Sequence, residues 1–228
     1  FPTLSLVIIV DKSGSMSAEL PGSDSLTSMD VARQAAFGVV ELLLSQERIG
    51  VMSFDVATEW VVPMQDVGDR QAVYAALREL QVGTGGTNIY PSLVDAFAVL
   101  VDEETSVRHV ILLSDGVSQP AEYGPLLEEY REENITLSTV SIGPATDLQL
   151  MARLAAETGG KHYYAEDVRS VPQIMAAEAE RILGAPLIEE PTTIRPTGSS
   201  PLTMGLPWEE VPELKAFAVT TPKDLADV

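Results

Sequence analysis

The chain has 228 residues, 45% of them hydrophobic, which is enough for one large α/β domain and a smaller appendage. Its 34 acidic and 14 basic residues give a formal net charge of −20, which argues against nucleic-acid binding because that affinity depends on Lys and Arg. The absence of cysteine excludes disulfides, thiolate metal sites and cysteine nucleophiles. No stretch approaches the ~18 consecutive apolar residues that span a bilayer, and no signal-peptide pattern is present, so we expect no direct membrane contact.

The first predicted strand, Leu4 to Val10, is almost entirely aliphatic, as expected of a central parallel strand that is covered on both faces. After a long polar loop, Thr27 and Asp30 resemble a capping box. Apolar residues at three- and four-residue spacing then predict a helix that runs to about Ser45.

Two further strands are predicted at Arg48 to Phe54 and Glu59 to Met64. The turn around Asp55 is too short to hold a crossover helix, so these strands should pair antiparallel. Pro63 suits an edge strand because proline cannot donate a hydrogen bond to a neighbour. The third strand is therefore predicted to form one edge of the sheet.

Strands and helices alternate through the rest of the domain. We predict helices at 69–81, 90–102, 122–134, 147–158 and 168–183, with Gly159 and Gly160 capping the fourth of these, and strands at 107–113, 135–142 and 161–164. This alternation indicates an α/β fold with a doubly wound, Rossmann-like, mostly parallel six-stranded sheet. One antiparallel strand should lie at its edge, with helices on both faces.

Prolines recur after Gly184, at positions 186, 191, 196, 201, 207 and 212, and no long helix tolerates that spacing. We therefore predict a globular domain over residues 1–184 and a Pro-rich extension over residues 185–228, compatible with the start of a neighbouring module. The chain begins at Phe1, in what looks like the start of a strand and without an initiator Met, so we expect it to be part of a longer protein.

Five polar residues lie just past the carboxyl end of a predicted strand or at the start of a helix: Asp11, Ser13, Ser15, Thr87 and Asp115. In open α/β sheets such loops converge on one crevice. Two carboxylates ~4 Å apart repel by about 4 kcal/mol at an effective dielectric of ~20. Protonation of one would relieve that repulsion, but a divalent cation does so better, and carboxylates, hydroxyls and water are ligands that Mg²⁺ and Mn²⁺ accept.

These residues carry a family resemblance. Asp11-x-Ser13-x-Ser15, Thr87 within Gly85-Gly86-Thr87, and Asp115 within Ser114-Asp115-Gly116 resemble the metal-ion-dependent adhesion site (MIDAS) of von Willebrand factor A domains of bacterial type. The resemblance covers about Leu4 to Leu183. It implies the doubly wound fold and a bound Mg²⁺ or Mn²⁺, with Ca²⁺ less favoured.

The resemblance also implies a role for each residue. Ser13 and Ser15 would bind the cation directly, and Thr87 directly or through water. Asp11 and Asp115 would act largely through water. An open coordination position would take an Asp or Glu carboxylate of a partner protein, with Lys12 and the long loop Ser17 to Ser25 shaping selectivity.

The tail from Gly205 to Val228 is similar to a segment of large bacterial membrane-anchored proteins in which such a domain lies inside or beside a glutamine-amidotransferase-like module. This similarity implies that the chain is the extracytoplasmic part of a membrane-anchored bacterial protein.

Other interpretations of these residues lead to different functions. Asp11, Ser13 and Ser15 alone could be turn and cap residues. The glycines at 83–86 lack the surroundings of a phosphate-binding motif. A Ser-His-Asp hydrolase would need a G-x-S-x-G elbow, and both His109 and His162 fall on or beside predicted strands. We predict a non-enzymatic binding module; the alternatives are a part of an amidotransferase-like or hydrolytic protein, or an intact fold with a vestigial site.

Overall fold

The computed structural model describes residues 3–19, 26–143 and 146–184, together with the backbone of residues 187–188 and 217–218. The chain divides into two units, Phe1–Ile182 and Leu183–Val228, and each is described by itself. In the second unit, the short strands Leu187–Ile188 and Phe217–Ala218 pair antiparallel.

The described part of the first unit contains a six-stranded sheet. Its strands are Leu4–Asp11 (β1), Arg48–Phe54 (β2), Thr58–Asp66 (β3), Val107–Ser114 (β4), Ile135–Ile142 (β5) and His162–Ala165 (β6). The α-helices are Ser28–Leu42 (α1), Arg70–Glu79 (α2), Ile89–Leu100 (α3), Tyr123–Glu132 (α4), Leu148–Glu157 (α5) and Val171–Leu183 (α6).

The strand order is β3-β2-β1-β4-β5-β6, and every neighbouring pair is parallel except β2 and β3. The predicted fold is therefore confirmed, including the antiparallel strand at one edge. Chain order reverses direction between β1 and β4, and at such a point the loops that follow two adjacent parallel strands diverge and leave a crevice. Within the residues that the structure describes, no helix is long and apolar enough to cross a membrane.

Alternation along the strands gives the sheet two covered faces. On one face, Val110 and Leu112 of β4 join a buried core to which α3, α4 and α5 contribute. On the opposite face, His109 of β4 contacts Glu178 of α6. Helices therefore cover both faces, as predicted.

Helix ends differ from the prediction by a few residues. The capping box of Thr27 and Asp30 is confirmed, but α1 ends at Leu42. The Arg70 guanidinium donates to the carbonyl of Val40 in the last turn and to that of Leu43 just after it. The predicted last helix begins with a 3-10 turn, Val168–Ser170, before α6 starts.

The predicted glycine cap of α5 is confirmed. Gly159 has φ +78°, a left-handed conformation that glycine adopts without strain, and Gly160 N–H donates to the carbonyl of Ala155 at 2.9 Å.

Two predictions fall outside the described residues. Most of the loop from Ser17 to Ser25 does, since residues 20–25 are not described, and so does almost all of the Pro-rich extension. The domain boundary at residue 184 stays a prediction.

Candidate metal centre

Asp11 is the last residue of β1, and its side chain is fully buried between two hydrogen-bond donors. The hydroxyl of Ser114, at the end of β4, donates to Asp11 Oδ2 at 2.6 Å, and the backbone N–H of Ser13 donates to Oδ1 at 2.8 Å. Burial raises the pKa of Asp11, while the hydrogen bonds from Ser114 and Ser13 oppose that rise. The carboxyl group is thus fixed between the ends of two parallel strands.

The loop after β1 forms a 3-10 turn, Gly14–Ser17, held down by the fully buried side chain of Met16. The hydroxyl oxygens of Ser13 and Ser15 are 3.1 Å apart. Ser15 Oγ donates to Asp115 Oδ1 at 2.6 Å, across a hundred residues of sequence. The turn therefore links the loop of β1 to the loop of β4.

Thr87 reaches the same cluster by way of Gly116. A Cβ atom added to Gly116 would lie 2.5 Å from Thr87 Oγ1, so only glycine lets this hydroxyl approach so closely beside Asp115. The carbonyl of Thr87 accepts from the N–H of Gln119 at 2.9 Å. All five predicted residues therefore lie together at the carboxyl edge of the sheet, as their placement in the sequence predicted.

The cluster carries two buried carboxyl groups but no basic side chain. Burial raises the pKa of Asp115 to about 6; the hydrogen bond from Ser15 opposes the rise and the charge of Asp11 adds to it. No ion pair within the described residues involves Asp11 or Asp115, and the nearby Lys12 ammonium is bound by Glu59 at 2.7 Å. The negative charge of the cluster is thus left without a cation from the protein.

The donor set fits a small divalent cation. Two carboxylates and three hydroxyls are hard oxygen ligands, and Mg²⁺ commonly keeps several waters beside one or two carboxylates. Among the described residues, no three His, Asp or Glu side chains converge to hold a metal by themselves. The hydroxyls of Ser13, Ser15 and Thr87 would therefore have to be part of the coordination.

Two residues of the site were not assigned a role from the sequence. Ser114 donates to Asp11, and Asp55 directly follows β2, next to the end of β1 at Asp11. Asp55 adds to the rise in the pKa of Asp11, and its backbone carbonyl accepts from Asn88 N–H at 2.8 Å beside Thr87. Its position after a strand was the signal that could have identified it.

Neither histidine lies at the site. His109 is buried within β4, where Nδ1 contacts Thr136 Oγ1 at 2.5 Å and Nε2 lies 3.3 Å from Glu178. His162 Nδ1 lies 3.0 Å from Thr139 Oγ1. Both contact neighbouring strands or helices of the fold and none of the five residues of the cluster.

Residues 5–177 match the family model of the von Willebrand factor type A domain. In sequence, the chain is similar to the uncharacterized protein sll0103 of Synechocystis, with 25% identity over 171 residues that cover 72% of this chain and 38% of the relative. The chain thus spans well under half the length of that curated relative.

Solved structures show the same fold. The von Willebrand factor type A protein from Catenulispora acidiphila has a TM-score of 0.69 at 21% identity, covering 80% of this chain and 43% of that one. Proximal thread matrix protein 1 from the mussel byssus, with a zinc-occupied MIDAS motif, has a TM-score of 0.67 at 14% identity, covering 79% and 46%. At these identities the likeness concerns the fold alone.

Proposed function

Because the chain belongs to the von Willebrand factor type A domain family, we propose that it is a divalent-cation-dependent protein-binding module. Domains of this family are typically non-catalytic interaction modules. In the proposed function, Mg²⁺ or Mn²⁺ at the candidate centre recruits an Asp or Glu carboxylate of a partner protein.

One observation carries the proposal: two buried carboxyl groups share a hydroxyl network that contains no basic side chain. Ser13 and Ser15 would bind the cation directly, and Thr87 directly or through water. Asp11 and Asp115 would orient the bound water and the two serine hydroxyls, as the hydrogen bond from Ser15 to Asp115 indicates. A relative with zinc in its MIDAS motif supports a metal at this position.

The charge of the chain explains why a cation is needed for such a partner. With a formal net charge of −20, the protein repels an acidic ligand at long range. A bound divalent ion would supply a local positive charge with an open coordination position. At physiological salt the repulsion from distant acidic residues is largely screened, so the nearby ion dominates the attraction of an acidic side chain.

The direct test is a thermal or chemical denaturation series with and without Mg²⁺. Saturation at ~100 times the dissociation constant should add about 2.7 kcal/mol to the free energy of unfolding. Ser13→Ala should abolish most of this gain. Ser17→Ala is the matched control, because Ser17 lies in the same turn and, among the described residues, its hydroxyl donates to the carbonyl of Gly14, at 2.7 Å, and to none of the five site residues.

Two results would contradict the proposal: no gain in the wild-type protein, or an equal gain in Ser13→Ala.

The hydrolytic alternative receives no support from the geometry, since both histidines lie away from the cluster. The predicted amidotransferase-like neighbour and the extracytoplasmic, membrane-anchored location stay predictions.

A further inference from the structure

A cleft of about 550 Å³ lies beside the candidate metal centre, between β2, the edge strand β3 and the end of α2. Lys12 and the segment Gly83–Thr84 line it. Lys12 is the neighbour of Asp11 and Ser13, and Thr84 is three residues from Thr87. Because consecutive Cα atoms are about 3.8 Å apart, two nearby side chains of one partner segment could occupy the cleft and the centre together.

The cleft is acidic. Asp55, Glu59 and Glu79 line it, against the single basic side chain of Lys12. Lys12 Nζ is already paired with Glu59 at 2.7 Å, and no ion pair within the described residues involves Asp55 or Glu79. The cleft therefore keeps negative charge that a basic ligand would neutralise.

Its walls are partly apolar. Val61 of β3, Ala76 and Leu80 at the end of α2, and Val82 in the following loop line the same cleft. A long basic side chain buries its methylene groups on apolar surface and keeps its charged end among polar groups. This combination of apolar walls and carboxylates suits an arginine or a lysine better than a short cation.

The hydroxyl of Ser53 is a second, independent sign of a ligand. Ser53 is fully buried and lines the cleft, and its Oγ has no hydrogen-bond partner among the described residues. Ser53 is paired in register with Glu59, so the two side chains lie on the same face of the sheet. Because a buried polar group without a partner is unfavourable, a donor that enters the cleft would relieve that cost.

We propose that this cleft is a second binding subsite and takes an arginine side chain of the partner protein. A guanidinium has five N–H donors and can serve several of the carboxylate and hydroxyl oxygens that line the cleft, which an ammonium group does less well. The proposal rests on the proposed function for the carboxylate of the same partner. The recognised segment would then present an acidic and an arginine side chain within a few residues of each other.

The subsite can be tested without the metal and without the partner. In EDTA, Nα-acetyl-argininamide is titrated into the ¹⁵N-labelled protein while the amide signals of Ser53, Gly83 and Thr84 are followed by NMR. Nα-acetyl-norleucinamide is the neutral control. We expect saturable shifts with arginine and a dissociation constant at least about tenfold lower than for norleucine, as for charge-assisted hydrogen bonds. Equal shifts with both compounds, or none, would overturn the subsite.

Variants can distinguish arginine binding in this cleft from a general attraction of arginine to an acidic protein. Glu59→Gln combined with Glu79→Gln should remove the preference for arginine. Glu128→Gln combined with Glu129→Gln should keep it, since Glu128 is similarly exposed, at 63% against 66% for Glu59, and is also in an ion pair. Equal loss in both double variants would overturn the proposal.

Ser53→Ala gives a finer test. It should weaken arginine binding several-fold without lowering the melting temperature, because its hydroxyl has no partner to lose. Ser141→Ala, which removes another buried and unpartnered hydroxyl, should leave arginine binding unchanged. Unchanged binding in Ser53→Ala would exclude the hydroxyl from the subsite. Failure of the proposed function would be seen in a different experiment, as the absence of a Mg²⁺-dependent gain in the free energy of unfolding.

Discussion

Buried carboxyl groups occur at two places beside the sheet, and they differ in the partners that the protein gives them. In the first, Glu178 of α6 is fully buried and accepts two hydrogen bonds from Arg181, at 2.7 and 2.6 Å. Ser138 and Tyr163 also donate to it, at 2.5 and 2.7 Å, and His109 lies 3.3 Å away. Every oxygen of this carboxylate is therefore held by the protein itself.

In the second cluster, Asp11 and Asp115 accept hydrogen bonds from hydroxyls and one backbone N–H but form no ion pair among the described residues. The pKa values reflect the difference. Burial acts to raise the pKa of Glu178, but Arg181, His109 and Ser138 lower it well below its usual range. Burial raises the pKa of Asp115 to about 6, and the single hydrogen bond from Ser15 does not offset it.

The two sites differ in whether the protein supplies charged partners for the buried carboxyl group: Glu178 has Arg181 and His109, whereas Asp11 and Asp115 have none among the described residues. A buried charge that is fully paired stabilises the fold only as long as its partners remain. A buried pair of carboxyl groups without a cation opposes its own ionisation, and a ligand cation would reverse that. Removal of each carboxylate should therefore have opposite effects on stability.

The largest effect is expected for Glu178→Ala. It leaves Arg181, His109 and the Ser138 hydroxyl without their buried partner, and breaking such a pair typically costs about 3–5 kcal/mol. Urea denaturation measures this loss. Glu180→Ala, an exposed position on the same helix, should change the free energy of unfolding by less than about 0.5 kcal/mol. A small loss in Glu178→Ala would mean that the cluster is dispensable to the fold.

The next effect has the opposite sign. In EDTA at pH 7, Asp115→Asn should raise the free energy of unfolding by about 2 kcal/mol, because it removes a carboxylate whose ionisation the fold opposes. The gain should shrink as the pH falls from about 6 towards the ordinary value of 3.8 and vanish below it, where Asp115 is protonated in both the folded and the unfolded state. Urea denaturation across this range measures it.

The same variant should lose its response to Mg²⁺. In the wild-type protein the Mg²⁺ response should instead grow as the pH rises through about 6, because the ion requires the ionised carboxylate. Glu178 shows the contrasting sign: its lowered pKa stabilises the protein above its ordinary value of 4.5, and this contribution is lost at lower pH. If Asp115→Asn were less stable than the wild-type protein in EDTA at pH 7, the fold would not oppose the ionisation of Asp115.

The fold could be predicted from the sequence because the pattern of each strand and helix agrees with its place in the sheet. The aliphatic run of β1 predicted a strand covered on both faces, and the short turn at Asp55 predicted the antiparallel edge. The five site residues could be grouped because each lies beyond a strand end or at a helix start. Periodicity and loop position are properties of neighbouring residues, so a single sequence carries them.

The Glu178 cluster could not be predicted in this way. Its members come from β4, β5, β6 and α6, and their meeting depends on how α6 crosses the sheet. Nothing in the helical pattern distinguishes Glu178 from the exposed Glu180 until the packing is known. The acidic cleft at Glu79 was missed for the same reason, because it depends on the distance between the end of α2 and the edge strand.

The smallest effect is expected for Ser15→Ala. Ser15 is exposed, and its hydroxyl makes the side-chain hydrogen bond that lowers the pKa of Asp115. In EDTA its loss should cost about 1 kcal/mol at pH 7. It should also raise the pKa of Asp115 further above about 6, as followed by the ¹³C signal of the carboxyl group. Ser17→Ala should leave that pKa unchanged. A pKa that fell, or stayed the same, in Ser15→Ala would show that Asp115 is stabilised by something other than this hydroxyl, and the contrast with the multiply bonded Glu178 would no longer hold.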